Sequence, residues 1–147
     1  TNLEMMQAAA KLHLLTGEQR YASQAQQIWD WLMAVPLRDT DGMLGDGLTG
    51  TAGIQTDCCN ATFLTPRKPR CMRSSLPSFS YNQGLFVGNA KLLFRITGNH
   101  RYLDEAQRTL RAVIDRMTAW GVLREPLEHT LEALPVRCDV NHDPAGS

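Results

Sequence analysis

An internal repeat constrains this chain more than any other feature. Thr16-Gly17-Glu18-Gln19-Arg20-Tyr21 returns as Thr97-Gly98-Asn99-His100-Arg101-Tyr102, 81 positions later. The flanks match as well: Ala9 with Ala90, Ala25 with Ala106, Leu32 with Val113, Met33 with Ile114. Gly42-Met43-Leu44-Gly45-Asp46-Gly47-Leu48 is then echoed by Gly121-Val122-Leu123-Arg124-Glu125-Pro126-Leu127, now 79 apart, with an acid kept as Asp46 and Glu125. A repeat of fixed period means one supersecondary unit that buries its apolar face only by stacking on its copies.

Each unit reads as two helices around a glycine turn. Leu3 to Leu15 is apolar around most of a helical surface, which predicts a buried helix. Gly17 ends it cheaply in a left-handed conformation. Tyr21, Ala25, Ile28, Leu32 and Val35 then form one stripe at helical steps, an amphipathic helix that Pro36 stops. In the second unit Gly84 to Ile96 is mostly apolar, Gly98 ends it, and Tyr102, Ala106, Val113 and Met117 share a stripe. Asp104 and Glu105 fall in the first turn of that helix, where the macrodipole favours acids and where solvation, not catalysis, is their expected role.

Four main helices are therefore predicted, near residues 3–16, 22–35, 83–97 and 102–118, with both glycine turns at one end. The first and third should be inner and more buried. The fold class is all-α. Two architectures fit, an open helical solenoid or a closed α/α toroid with inner and outer rings. Each hairpin carries a loop of roughly 40 residues, and unstructured loops that long are usually functional. In a toroid such loops gather at one mouth, so the toroid is the favoured reading. Residues 1–147 are read as part of one domain, with repeat units at about 2–50 and 82–128, a basic Pro-rich loop at 66–78 and an irregular tail at 129–147.

Composition narrows the function classes. Hydrophobic residues make up 43% and charged residues 20%, which suits a globular domain. Fifteen basic and fifteen acidic side chains cancel, which argues against general nucleic-acid affinity. No apolar run approaches the ~18–20 residues of a membrane span. Cys58, Cys59, Cys71 and Cys138 lack the paired spacing of a zinc site, and disulfides or free thiols remain equally open for them. Asp139-Val140-Asn141-His142-Asp143 imitates the start of a calcium loop but has Pro144 where glycine belongs, so no metal or other cofactor is expected. Asn60-Ala61-Thr62 is a glycosylation sequon of the kind that arises by chance. From Cys58 to Leu103 there are seven Lys and Arg and no acid; residues 66–78 read first as a solvated loop, with a translated intron or frameshifted stretch and a basic patch for an anionic polymer as the alternatives.

Phe79-Ser80-Tyr81-Asn82-Gln83-Gly84, opening a buried helix, resembles the Tyr-Asn-Gln-Gly signature of glycoside hydrolase family 76. The Thr-Gly-x-x-x-Tyr turns, the Asp46-Gly47-Leu48 loop and Leu123-Arg124-Glu125-Pro126 are similar to that family too, over most of residues 2–128. The resemblance implies an endo-acting α-1,6-mannanase with an (α/α)6 toroid of six hairpins, of which this chain holds about two. It implies a mannan polysaccharide partner and an extracellular or cell-surface location. It also implies a catalytic pair of adjacent Asp residues on an early inner helix. Glycoside hydrolysis needs two carboxylates, one a proton donor and one ionised. This chain has no Asp-Asp, so the pair is expected before Thr1 and the chain alone is expected to be inactive. The rivals are a non-catalytic helical-repeat scaffold and another six-hairpin carbohydrate enzyme, such as an unsaturated glucuronyl hydrolase or a sugar epimerase.

Five residues are candidates for binding saccharide. Asn82 and Gln83 begin an inner helix at the mouth, where paired donors and acceptors suit sugar hydroxyls; the alternative is helix capping by Ser80 or Asn82. Tyr81 either stacks on a sugar ring or packs. Asp46 is either a sugar ligand or a turn residue between glycines. Asn2 heads the first helix and resembles a family Asn at the mouth, with capping equally open. Glu125 is read as structural.

Overall fold

The computed structural model describes residues 2–50, 71–74 and 76–125. The cysteines at 58, 59 and 138, the sequon, the calcium-like run and the whole tail lie outside the described residues. Four helices carry the fold: α1 (Asn2–Thr16), α2 (Gln19–Ala34), α3 (Ser80–Thr97) and α4 (Arg101–Met117). They form two hairpins, α1 with α2 and α3 with α4. The hairpins join through α1 on α3, with α2 also touching α3. The fold is all-α in its main elements, as the repeat implies.

The repeat holds atom by atom at the reversals. The Thr16 hydroxyl donates to the Leu12 carbonyl at 2.8 Å and accepts the Glu18 N–H at 3.2 Å. The Thr97 hydroxyl does the same with Leu93 and Asn99 at the same two distances. Gly17 and Gly98 sit at φ 74° and 69°, where only glycine is unstrained. Their N–H groups donate to His13 and Phe94, each four residues back. Each following helix places an arginine over a tyrosine ring, Arg20 on Tyr21 at 4.8 Å and Arg101 on Tyr102 at 5.2 Å.

The core is less symmetric. Trp29 of α2 stacks on Phe86 of α3, with ring centroids 4.8 Å apart, and meets Tyr102 of α4 edge-on at 4.9 Å. Its repeat equivalent, Leu110, is exposed. Met6, Ala10, Leu32, Ala90 and Leu93 close around the aromatic trio. Burial of α1 departs from the expectation. Leu3, Met6, Ala9 and Ala10 are buried, but Met5, Leu12, Leu14 and Leu15 are exposed, Leu15 to 81%. Two neighbouring helices cover only two sides of a helix, and no described residue covers the rest. Only α3, with α1 and α4 on either side and α2 touching it, behaves as an inner helix.

Each outer helix is followed by a short β-hairpin that the sequence reading did not contain. After α2, Arg38 bridges Leu44 antiparallel, and the Gly45 N–H donates to the Leu37 carbonyl at 2.9 Å. After α4, β3 (Thr118–Ala119) pairs with β4 (Val122–Leu123), and the Arg124 N–H donates to the Met117 carbonyl at 2.7 Å. The second hairpin turns through Trp120 and Gly121, both at positive φ. A further pair, β1 (Leu48–Gly50) antiparallel to β2 (Cys71–Arg73), sets Leu48 opposite Arg73. The stretch read as a solvated basic loop thus includes a paired strand.

Candidate saccharide site at the start of α3

Two acids from the two hairpins converge on the first turn of α3. Phe79 occupies the N-cap position and makes no side-chain capping bond. Glu125 replaces it: its carboxylate accepts the Ser80 N–H at 3.1–3.2 Å and also the Ser80 hydroxyl. An anion there suits the free N–H groups and the positive end of the helix dipole. Capping by Ser80 or Asn82 is therefore corrected, because the cap comes from 45 residues along the chain. The structural reading of Glu125 agrees with this geometry.

In the same turn, Asp46 Oδ1 accepts two bonds, from the Tyr81 hydroxyl at 2.5 Å and from Asn82 Nδ2 at 3.0 Å. The Tyr81 ring is 55% exposed and lies parallel to Phe79, with centroids 5.8 Å apart. Its phenol is held above the ordinary value of 10.0, first by the hydrogen bond to Asp46 and then by burial, with the charges of Asp46 and Glu4 adding. Asp46 Oδ2 has no hydrogen-bond partner among the described residues, and the residue is only half-buried.

Gln83 stands behind this site. Its Oε1 accepts the Leu44 N–H at 2.9 Å, and its Nε2 donates to the Leu44 carbonyl at 2.9 Å and to Phe79 at 3.1 Å. The amide copies a strand pairing with Leu44, two residues from Asp46. Gln83 is 2% exposed and its polar atoms are spent on backbone. The sugar-facing reading of Gln83 is corrected accordingly. Asn2 opens α1 with an exposed side chain that takes no part in the Asp46, Tyr81 and Asn82 bonds. Asn89, buried on α3, donates to the Leu3 carbonyl at 2.7 Å and so ties the start of α1 to α3.

Arginines that sequence reading passed over hold the loop. Arg38 bonds Glu105 at 2.6 Å and Thr109 at 3.0 Å, and its guanidinium lies 4.6 Å over the Phe86 ring. Glu105 is thus an ion-pair partner across the hairpins, a correction to its reading as a capping and solvated acid. Asp39 bonds both Arg73 at 2.7 Å and Arg116 at 2.9 Å, while Asp41 bonds Arg116 at 2.7 Å. The Asp41 carboxyl is driven far below the carboxylate range by a hydrogen bond with Asp39 and by the Arg116 guanidinium, against the opposing cost of burial. A carboxyl so stabilised as an anion is a poor proton donor for glycoside cleavage. Only the 79-residue echo hinted at these loop contacts.

Two stacked helical hairpins, with an acid held at the start of α3, define a protein of the α/α-hairpin class. The solved structures similar to it include a family 76 glycoside hydrolase from a bovine Bacteroides thetaiotaomicron strain, 26% identical over 79% of this chain and 22% of that one, with a TM-score of 0.61. Another is an inactive variant of an α-1,6-mannanase of Salegentibacter sp. HEL1_6 in complex with α-1,6-mannotriose, 23% identical over 78% of this chain and 30% of that one, with a TM-score of 0.59. Among curated proteins, a mannan endo-1,6-alpha-mannosidase of Candida glabrata is 27% identical over 76% of this chain and 22% of its own length. The profile of glycosyl hydrolase family 76 matches residues 1–143, and the chain belongs to that family. The chain spans between about a fifth and a third of the length of these relatives. No described helix is long and apolar enough to cross a membrane.

Proposed function

We propose that residues 1–147 form part of the toroid domain of an endo-acting α-1,6-mannanase and supply one wall of its substrate cleft, at the extracellular face where mannan is met. The observation that carries this is the Asp46 carboxylate: Tyr81 and Asn82 fix one oxygen and leave the other for a sugar hydroxyl. The exposed Tyr81 ring offers an apolar face to a pyranose, and Asn2, exposed at the start of α1, is read as a further sugar contact. Gln83 is a positioning residue that sets Asp46 through Leu44. The names of the relatives support the substrate class.

The Salegentibacter enzyme was made inactive by replacing two consecutive Asp residues, and this chain has no two consecutive Asp residues. General acid–base help is worth about 10²–10⁴ in rate, and binding groups alone do not replace it. The 147-residue chain should therefore bind α-1,6-mannotriose without releasing shorter products. Titration calorimetry with mannotriose, beside reducing-sugar release from linear α-1,6-mannan, tests both halves. Asp46→Asn should weaken binding about tenfold, the scale of one charge-assisted hydrogen bond. Unchanged binding in Asp46→Asn would favour the rival, a helical-repeat scaffold in which Asp46 only braces a helix start. Product release by the chain would place the catalytic carboxylates within it.

A further inference from the structure

A cleft of about 620 Å³ opens beside the α3 start, between residues 73–74 and 76–78, the end of α4 and the β3–β4 hairpin. Its polar wall consists of Arg73, Ser74, Ser78, Arg116, Arg124 and Glu125. The one carboxylate in that wall, Glu125, is engaged by the Ser80 N–H and hydroxyl. The other polar groups of the wall are donors: three guanidinium groups and two hydroxyls.

The arginines are braced from outside it. Asp39 and Asp41 hold Arg73 and Arg116 at 2.7–2.9 Å, and neither acid lines the cleft. Arg73 also bonds the Ser78 hydroxyl, yet its buried Nε–H has no partner. The Arg124 side chain has no ion-pair or hydrogen-bond partner among the described residues. The unpaired Arg124 guanidinium, beside the Arg73 and Arg116 guanidinium groups that carboxylates hold in place, matches the geometry of a phosphate better than that of a neutral sugar. The cleft also adjoins the saccharide site. Arg73 lies so flat on Gly45 that a Cβ there would come within 2.5 Å of its Nε, and Asp46 is the next residue.

We propose that this cleft is an anion subsite, binding a phosphate group carried by the saccharide whose sugar ring engages Asp46 and Tyr81. The saccharide half rests on the reading of function given above, whereas the anion half stands on the cleft alone. Arg124 closes on the phosphate, and Arg73 and Arg116 form its fixed back wall.

The test is titration calorimetry of the 147-residue chain at low ionic strength with mannose, mannose 6-phosphate and inorganic phosphate. Mannose 6-phosphate is expected to bind at least about tenfold more tightly than either of the others, since charge-assisted bonds add to sugar contacts. Arg124→Ala should abolish that margin and Arg124→Lys should restore part of it. The far-UV circular dichroism should be unchanged in both, because the side chain makes no structural bond. An Arg124→Ala protein that binds mannose 6-phosphate as well as the parent does would overturn the proposal. So would inorganic phosphate binding as tightly as the sugar phosphate, which would mark a free-anion site. Asp46→Asn separates the two readings: it should lower the affinity for mannotriose and leave that for inorganic phosphate intact. Mannotriose affinity unchanged by Asp46→Asn would sink the mannanase reading alone, and phosphate binding unchanged by Arg124→Ala would sink this one alone.

Discussion

Replacing Gln83 by Leu keeps the volume of the side chain and removes only its amide. Leu44 is fully buried, so its N–H and carbonyl would both lose their partners with no water at hand. A buried backbone group left unpaired costs about 1–3 kcal/mol, which puts the two together at about 2–6 kcal/mol. The Phe79 carbonyl is half-buried and can turn to solvent. Burying Leu where Gln stood returns about 1–2 kcal/mol. With mid-range values, about 4 kcal/mol lost and about 1.5 kcal/mol returned, the net loss should be about 2.5 kcal/mol. For a chain of this size each kcal/mol moves the midpoint by about 2–4 °C, so Tm should fall by about 5–10 °C. Thermal melts followed at 222 nm in dilute solution give the number. Asp46 should be loosened as well, so mannotriose should bind less tightly to Gln83→Leu even at temperatures where it is folded. A Gln83→Leu protein melting within 2 °C of the parent would refute the idea that this amide holds the Leu44 backbone.

Removing Arg38 as Arg38→Met leaves Glu105 three-quarters shielded and without its main partner, and should cost about 2–3 kcal/mol in urea unfolding. Adding Glu105→Gln should recover more than half of it, and an additive double mutant would exclude the coupling. The Tyr81 phenol, raised by Asp46, should ionise above pH 10 when followed by absorbance near 295 nm, and Asp46→Asn should bring it down. The neutral phenol is the form favoured on folding. Its contribution to stability is therefore complete below pH 10 and lost as pH climbs through the raised value. Trp120 at φ 52° occupies a turn position that Asn takes with less strain, so Trp120→Asn should raise the urea midpoint by the equivalent of about 0.5–1 kcal/mol. An unchanged or lower midpoint would show that Trp120 makes a stabilising contact. Exposed Met5, Leu15, Leu110 and Ile114 should drive concentration-dependent association of the 147-residue chain in sedimentation velocity, and a monomer at all concentrations would contradict that.

The helices were legible because their signals are local. Thr16 and Thr97 bond carbonyls four residues back, the glycines follow at once, and the apolar steps need no knowledge of a partner. The roles at the site were less legible because their partners are far away in sequence. Asp46 and Asn82 could be marked as polar residues near a mouth, but nothing in the order of residues distinguishes Asn82, which reaches Asp46, from Gln83, which reaches backbone 39 residues away. The cap on α3 was misread for the same reason, since Ser80 looks like a cap and Glu125 acts as one. The apolar girth of α1 reads as burial, whereas burial also needs neighbours, and α1 finds them on two sides only. The short hairpins after α2 and α4 are too brief for alternation to show, and only their glycines, Gly42 and Gly121, kept the register.

The reversals at Thr16 and Thr97 have a consequence for the gene. The instruction to turn is written twice in nearly the same letters, and each copy works with its own hydroxyl, glycine and tyrosine, independent of the other. A recombination that joins Gly17 to Asn99 deletes 81 residues and still spells Thr-Gly-Asn-His-Arg-Tyr. The product would close α1 directly on α4, with Tyr102 in the place of Tyr21. The reverse event inserts a whole hairpin without spoiling either turn. Length in such a chain therefore changes in steps of one complete unit, at crossover points where a misaligned exchange leaves the reading frame and the turn chemistry whole.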